Sequence, residues 1–284
     1  MSSLTITTED LVSLKYQVVI VTDDFGSSSG IGLETAKLLL TLEASVVGAD
    51  LQPPAEPLAH SAFTFVKTNV AAWDDLLDLF KKTKELHGRY DHVFVNAGIS
   101  GRVDYLASDL DEKGNLKEPN SQVLDVNLKA AINTSTLAFH HIRQQAEGGS
   151  VVIACSMSSI SRFRAADYAA AKHGVFGFMR AMRQNLVAQN IPIHINGIGP
   201  SWTSTGLTGG IFIQLGVLAQ SPEAVARGAA ILMADKSRHG HLLHIANGKY
   251  KEVDEAILLP AYEKILDGSE SEDETYVRLL AAMK

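Results

Sequence analysis

Six short runs rich in β-branched residues alternate with longer stretches of helical period, and this alternation constrains the fold more than any other feature of the chain. The runs are Val18–Thr22, Ala44–Ala49, Phe63–Lys67, His92–Asn96, Val151–Ala154 and Ile193–Ile198. Most carry little polar alternation, as strands buried on both faces should. Between them lie Ile31–Leu42, Trp73–His87, Asn120–Glu147 and Asp167–Gln189, which have helical pattern and length. Strand–helix alternation of this kind means βαβ units and an α/β fold built on a parallel sheet. Right-handed crossovers place helices on both faces of the sheet and ligands beyond the strand C-termini.

No fixed-period repeat and no Pro/Gly/Ser linker divides the 284 residues, so one domain is expected, with its core at about 15–248. Past Ile198 the alternation becomes irregular. Ser201–Leu218, rich in Gly, Thr and apolar residues, reads as a mobile lid over a pocket. Pro222–Ala234 reads as a helix and His241–Ala246 as a last strand, followed by a C-terminal extension at about 249–284. Within that extension Gly268–Glu274 is an acidic stretch expected as a solvated or partly disordered loop, and Thr275–Lys284 a short helix.

The formal net charge of −7, with no Lys/Arg block, argues against nucleic acid as a partner. No apolar run reaches the roughly 18 residues a membrane span needs, and Met1–Asp10 does not read as a signal peptide. Cys155 is the single cysteine, so no internal disulfide is possible. That fits a reducing compartment, and a cytoplasmic location is expected.

After the first strand comes Gly26-Ser27-Ser28-Ser29-Gly30-Ile31-Gly32, a G-x-x-x-G-x-G spacing at the junction of a strand and a helix. Glycines there let backbone approach a pyrophosphate, and a helix N-terminus supplies free N–H groups. Ser28 and Ser29 add hydroxyl donors. Asp50 ends the second strand, twenty residues beyond Gly30. An acid in that place accepts hydrogen bonds from ribose hydroxyls and repels a 2′-phosphate. A Rossmann-type, doubly wound domain binding NAD(H) in preference to NADP(H) is therefore expected.

In this order the chain resembles the short-chain dehydrogenase/reductase family. The resemblance covers roughly Lys15 to Gly248 and rests on motifs in sequence: the glycine loop, Asn96-Ala97-Gly98, Asn127, Ser156, Tyr168-Ala-Ala-Ala-Lys172, and Pro200 to Thr205. Leu110–Asn127 and the C-terminal third are similar to fungal members akin to 15-hydroxyprostaglandin dehydrogenase. Tyr168 and Lys172 stand four apart, on one helix face. A nearby ammonium favours phenolate, and Tyr168 would then be general base in oxidation and general acid in reduction. The resemblance implies that Lys172 also bonds the nicotinamide ribose and that Asn127 holds a water linking the lysine to solvent. It also implies that Pro200, Thr203 and Thr205 surround the carboxamide, with a homodimer or homotetramer as the assembly.

Four departures matter. The family's serine stands thirteen residues before the tyrosine, where this chain has Cys155; Ser156 is twelve before. Either the loop is one residue short and Ser156 donates to the substrate oxygen, or the thiol sits in its place; Ser158 is a further candidate. The usual glycine after Pro200 is Ser201. Asn69 replaces the adenine-side aspartate, where it can still accept from the amino group while Val70 offers backbone. Asp23-Asp24-Phe25 puts two carboxylates near the expected pyrophosphate. Either three residues follow Thr22 as an insertion, or Phe25 replaces that threonine in a shifted strand. The carboxylates are expected to point outward to solvent; the alternative is that they weaken cofactor binding.

His239, His241 and His244 cluster without a nearby carboxylate or thiol, so a surface turn is expected and no metal. His140 and His141 are expected on a helix-packing surface. Trp202, Phe212, Ile213, Leu215 and Leu218 suit either core or an apolar lid. The leading expectation is an NAD(H)-dependent oxidoreductase of a secondary alcohol or ketone on a largely apolar small molecule, in secondary metabolism. The rivals are a non-redox isomerase or cyclase on the same scaffold, and an NAD(H)-sensing binding protein.

Overall fold

The computed structural model describes residues 4–23, 30–54, 58–101, 103–205 and 215–283. Eight strands form one sheet in the order β3-β2-β1-β4-β5-β6-β7-β8. They are β1 Val18–Thr22, β2 Ser45–Asp50, β3 Phe63–Lys67, β4 His92–Val95, β5 Gly149–Ala154, β6 Ile193–Pro200, β7 Leu242–Ala246 and β8 Lys249–Glu252. The first seven run parallel and β8 returns antiparallel along β7. The helices are α1 Gly30–Thr41, α2 Trp73–His87, α3 Ala131–Ile142, α4 Ala166–Ala188, α5 Pro222–Ala234, α6 Leu259–Leu266 and α7 Glu272–Ala282. A helical turn at Gln122–Leu124 and a π-helical turn at Asp125–Ala130 lead into α3.

The central strands are largely apolar because both faces are covered, whereas the edge strands β3 and β8 carry polar, exposed residues. In β1, Ile20 joins one core with Leu76, Leu79 and Phe80 of α2, Leu137 of α3 and Val175 of α4. Its neighbours Val19 and Val21 point the other way, toward Ala36 and Leu39 of α1 and Val225 and Ala229 of α5. Chain order reverses between β1 and β4, and a crevice at their C-terminal ends is where such sheets bind ligands.

Three differences from the sequence expectations have local causes. Lys249–Glu252, read as extension, is an eighth strand, because Asn247 and Gly248 both take positive φ and turn the chain back on β7. Three residues of the acidic stretch, Glu272 to Glu274, form the first turn of α7 instead of a loop. Ser271 caps that turn, its hydroxyl accepting from Glu274 N at 3.2 Å while the Glu274 carboxylate accepts from Ser271 N at 2.8 Å. Carboxylates are favoured at that end of a helix. Asp23 is buried, not solvent-facing: its N–H extends the β1–β2 ladder to Ala49 O at 2.8 Å, and its carboxylate accepts a hydrogen bond from the Asn96 side chain. Thr22 closes β1 in register with Ala49 and Val95, and Asp23 follows it directly. Asp24 and Phe25 lie outside the described residues.

His141 packs its ring on Phe80 and Tyr90, centroids 5.3 and 5.0 Å away, while His140 is exposed. His239 accepts from Ile195 N at 3.1 Å and His244 Nδ1 lies 2.9 Å from Gly199 O, so the two pin β6 instead of forming a solvated turn. Among the described residues no group of three His, Cys, Asp or Glu is placed to hold a metal ion. No helix among them is long and apolar enough to cross a membrane.

Candidate active site

The helix α4 fixes Tyr168 and Lys172. It starts at Ala166, and the buried Asp167 in its first turn accepts from Tyr168 N at 2.8 Å and from Val103 N at 3.4 Å. The second bond ties the loop after β4 to the helix that carries the tyrosine. Gly101 permits this approach, since a Cβ there would lie 2.5 Å from Asp167 Oδ1 and 2.8 Å from the Ala165 Cβ. One turn on, Lys172 is buried, and its ammonium donates to Ala154 O at the end of β5 at 2.6 Å. The same ammonium lies 5.7 Å from the centroid of the Tyr168 ring. A buried cation requires such partners. No described protein group bonds the Tyr168 hydroxyl.

Asn127 sits in the π-helical turn, and its amide pairs with Ile99 in both directions: Nδ2 donates to Ile99 O and Oδ1 accepts from Ile99 N, each at 2.8 Å. π-turns recur at functional sites. Gly98 passes beside both catalytic candidates, because a Cβ there would meet Asn127 Oδ1 at 3.4 Å and Lys172 Nζ at 3.6 Å.

The structure separates Cys155 from Ser156. Cys155 is buried among the core residues, and a Cβ on Gly197 of β6 would touch its sulfur at 3.0 Å. Burial pushes its thiol up to about 12. Ser156 is partly exposed; its hydroxyl accepts from Ser158 N at 3.2 Å, and its proton has no acceptor among the described residues. Ser158 is buried, its hydroxyl without a partner and covered.

On the cofactor side, Asp50 is buried at the end of β2, with Oδ1 3.4 Å from Gln52 N. Asn96 and the buried Ala97 follow β4. Val70 is buried after β3, and Asn69 is exposed with Oδ1 accepting from Ala71 N at 3.1 Å, so that oxygen already caps the entry to α2. Gly30 and Gly32 lie on α1, Gly30 with φ +74°. A Cβ on Gly30 would come within 3.0 Å of Thr205, which brings the segment after Pro200 against the α1 N-terminus. Thr203 is buried and its hydroxyl donates to Ser201 O at 2.9 Å. Gln220 holds this segment from behind, donating to Thr203 Oγ1 at 3.3 Å and to Ile245 O at 2.8 Å. Gly26, Ser28, Ser29, Phe212 and Ile213 lie outside the described residues, as does half of the lid; Leu215 and Leu218 are exposed.

Tyr168, Ser156, Ile31, Pro200, Thr203 and Thr205 open on one cavity of about 540 Å³. Phe163 and Trp202 stand in its wall. Sequence reasoning missed Gly101, Phe163, Asp167 and Gln220. Only the place of Asp167, directly before Tyr168 at a helix start, carried a readable signal.

These residues fit a nicotinamide dinucleotide. Gly98 leaves open the space a Cβ would fill beside Lys172, and Asp50 sits twenty residues beyond Gly30 at the switch-point edge of the sheet.

The family model for short chain dehydrogenase matches residues 17–215. The short-chain dehydrogenase/reductase ascJ of Acremonium egyptiacum is 49% identical over 290 residues, covering 100% of this chain and 97% of that protein. The short-chain dehydrogenase/reductase prx4 of Penicillium rubens is 35% identical over 208 residues, 73% of this chain and 60% of that protein. The crystal structure of a 3-ketoacyl-(acyl-carrier-protein) reductase from Brucella melitensis, complexed with NADH, shares the fold. Its TM-score is 0.71 at 21% identity, over 83% of this chain and 98% of that one. The finer likeness to 15-hydroxyprostaglandin dehydrogenase gains no support from these relatives.

Proposed function

The chain belongs to the short-chain dehydrogenase/reductase family, oxidoreductases of CH–OH groups, and from that premise we propose that it uses NAD(H) to interconvert a secondary alcohol and a ketone on a largely apolar small molecule. The observation that carries the reading is that Tyr168, whose ring centroid lies 5.7 Å from the buried Lys172 ammonium, shares a cavity with Ser156. When bound, the nicotinamide takes or returns the hydride. Tyr168 removes the hydroxyl proton in oxidation and supplies it in reduction. Lys172 sets a positive charge beside Tyr168 and offers donors to the nicotinamide ribose. Ser156 donates to the substrate oxygen as negative charge builds on it. Asn127 holds the Ile99 loop that brings Gly98 beside Lys172. Asp50 accepts from the adenosine ribose and repels a 2′-phosphate, which favours NAD(H) over NADP(H). A cytoplasmic homodimer or homotetramer serving secondary metabolism completes the proposal.

The test is NADH oxidation with a panel of lipid, terpenoid and polyketide ketones, by the wild type and Tyr168→Phe. The wild type should turn over at least one ketone, and the variant should lose at least ~10²-fold in kcat. Equal rates would sink the mechanism. Substrate conversion without any change in nicotinamide absorbance would point to an isomerase or cyclase instead.

A further inference from the structure

Three aromatic rings lead outward from the proposed proton-transfer hydroxyl. Phe163 meets Tyr168 edge-on, centroids 6.2 Å apart at 65°, and meets Trp202 at 6.0 Å and 59°. Phe163 and Trp202 line the cavity yet remain 38% and 50% exposed. Large apolar side chains left open beside a cavity mark a binding surface. The tilt between successive rings makes a stepped corner, so a flat ring laid on one face presents its edge to the next. Aromatic pairs prefer that offset or edge-to-face geometry, and a saturated ring gains only the burial of its area. The other polar side chains on the cavity are mainly serine and threonine hydroxyls, and none of the described lining residues is Asp, Glu, Lys, Arg or His. An ionised ligand group inside would find no counter-charge among those described lining residues.

We propose that Phe163 and Trp202 form an aryl-recognising subsite, and that the substrate is an uncharged aryl ketone or the matching benzylic alcohol, its ring fused or bonded directly to the reacting carbon. This rests on the assignment of Tyr168 as the proton-transfer residue, which fixes the reacting carbon at the inner end of the aromatic wall.

The probes are 1-tetralone and 1-decalone, which share a carbon skeleton and differ in the aromatic ring. Their dissociation constants are measured by calorimetry on enzyme saturated with NAD⁺, where a ketone cannot turn over. The ratio of the two constants is then compared between the wild type, Phe163→Leu and Trp202→Leu. Water-to-site transfer differences between the ketones cancel in that comparison. Wild type should favour 1-tetralone, and each leucine variant should shrink the preference by roughly two- to tenfold. A preference unchanged in both variants, or no binding of 1-tetralone to the wild type, would overturn the proposal. NADH oxidation with 1-tetralone is scored separately. Ring discrimination without turnover would leave the subsite standing and remove the redox reading.

Discussion

Asn127 and Ile99 are joined by two hydrogen bonds of 2.8 Å, an amide side chain on a π-helical turn pairing with both backbone groups of one residue in the loop after β4. The pair is buried, so neither backbone group has water to fall back on. Asn127→Leu removes both bonds and leaves the Ile99 N–H and C=O unpaired. Each unsatisfied group costs about 1–3 kcal/mol. Urea unfolding should show a loss of about 2–4 kcal/mol with an unchanged slope. A change under ~0.5 kcal/mol would mean the loop finds other partners.

Cys155 and Ser156 are adjacent in sequence and differ in burial, and the proposed function gives the oxyanion-donor role to Ser156. Burial holds the Cys155 thiol at about 12, so thiol reagents at pH 8 should leave the native protein unmodified and react fully once urea unfolds it. Cys155→Ala should keep turnover within a few-fold. Ser156→Ala should lose on the order of 10²-fold in kcat, the scale for a single donor to a developing oxyanion. The reverse pattern would put the thiol at the reacting oxygen.

Asp50 sets the cofactor preference in the proposed function. Its carboxylate is buried at the end of β2, where a charge acts strongly on a neighbouring phosphate. Asp50→Asn keeps the size and removes the charge. Fluorescence titration should show weaker NADH binding and a NADH-over-NADPH ratio reduced at least ~10-fold, or about 1.4 kcal/mol. Preference for NADPH in the wild type would refute the role.

Acid should weaken the fold through histidines held neutral at the N-terminal edge of the sheet. Burial lowers His92 and His239 to about 4 from the ordinary 6.5. Between those values the unfolded chain binds protons that the folded chain refuses, so stability is full above about pH 6.5 and falls as pH drops toward 4. His92 also pairs through Nδ1 with Ser150 Oγ at 2.8 Å. Urea midpoints at pH 7 and pH 5 should differ clearly in the wild type and less in His92→Gln. Equal differences in both proteins would take His92 out of the explanation.

The sequence by itself determined the seven parallel strands, most of the helices and the one-sided placement of Tyr168 and Lys172. These follow from period and spacing, which are local along the chain: β-branched runs make buried strands, and residues four apart share a helix face. The tertiary structure decided which groups meet. Lys172 finds Ala154 O, Asn127 finds Ile99, Asp23 turns inward to Asn96, and Phe163 lies between Tyr168 and Trp202. Each of these contacts joins residues on different elements or loops, or crosses a turn that composition leaves open. No periodic signal marks them, because they arise only when the crossovers bring the C-terminal ends of the strands to one edge. Cys155 and Ser156 show the division within a single step of the chain: spacing left both candidates open and both line the cavity, but packing against Gly197 buries Cys155 while Ser156 stays partly exposed.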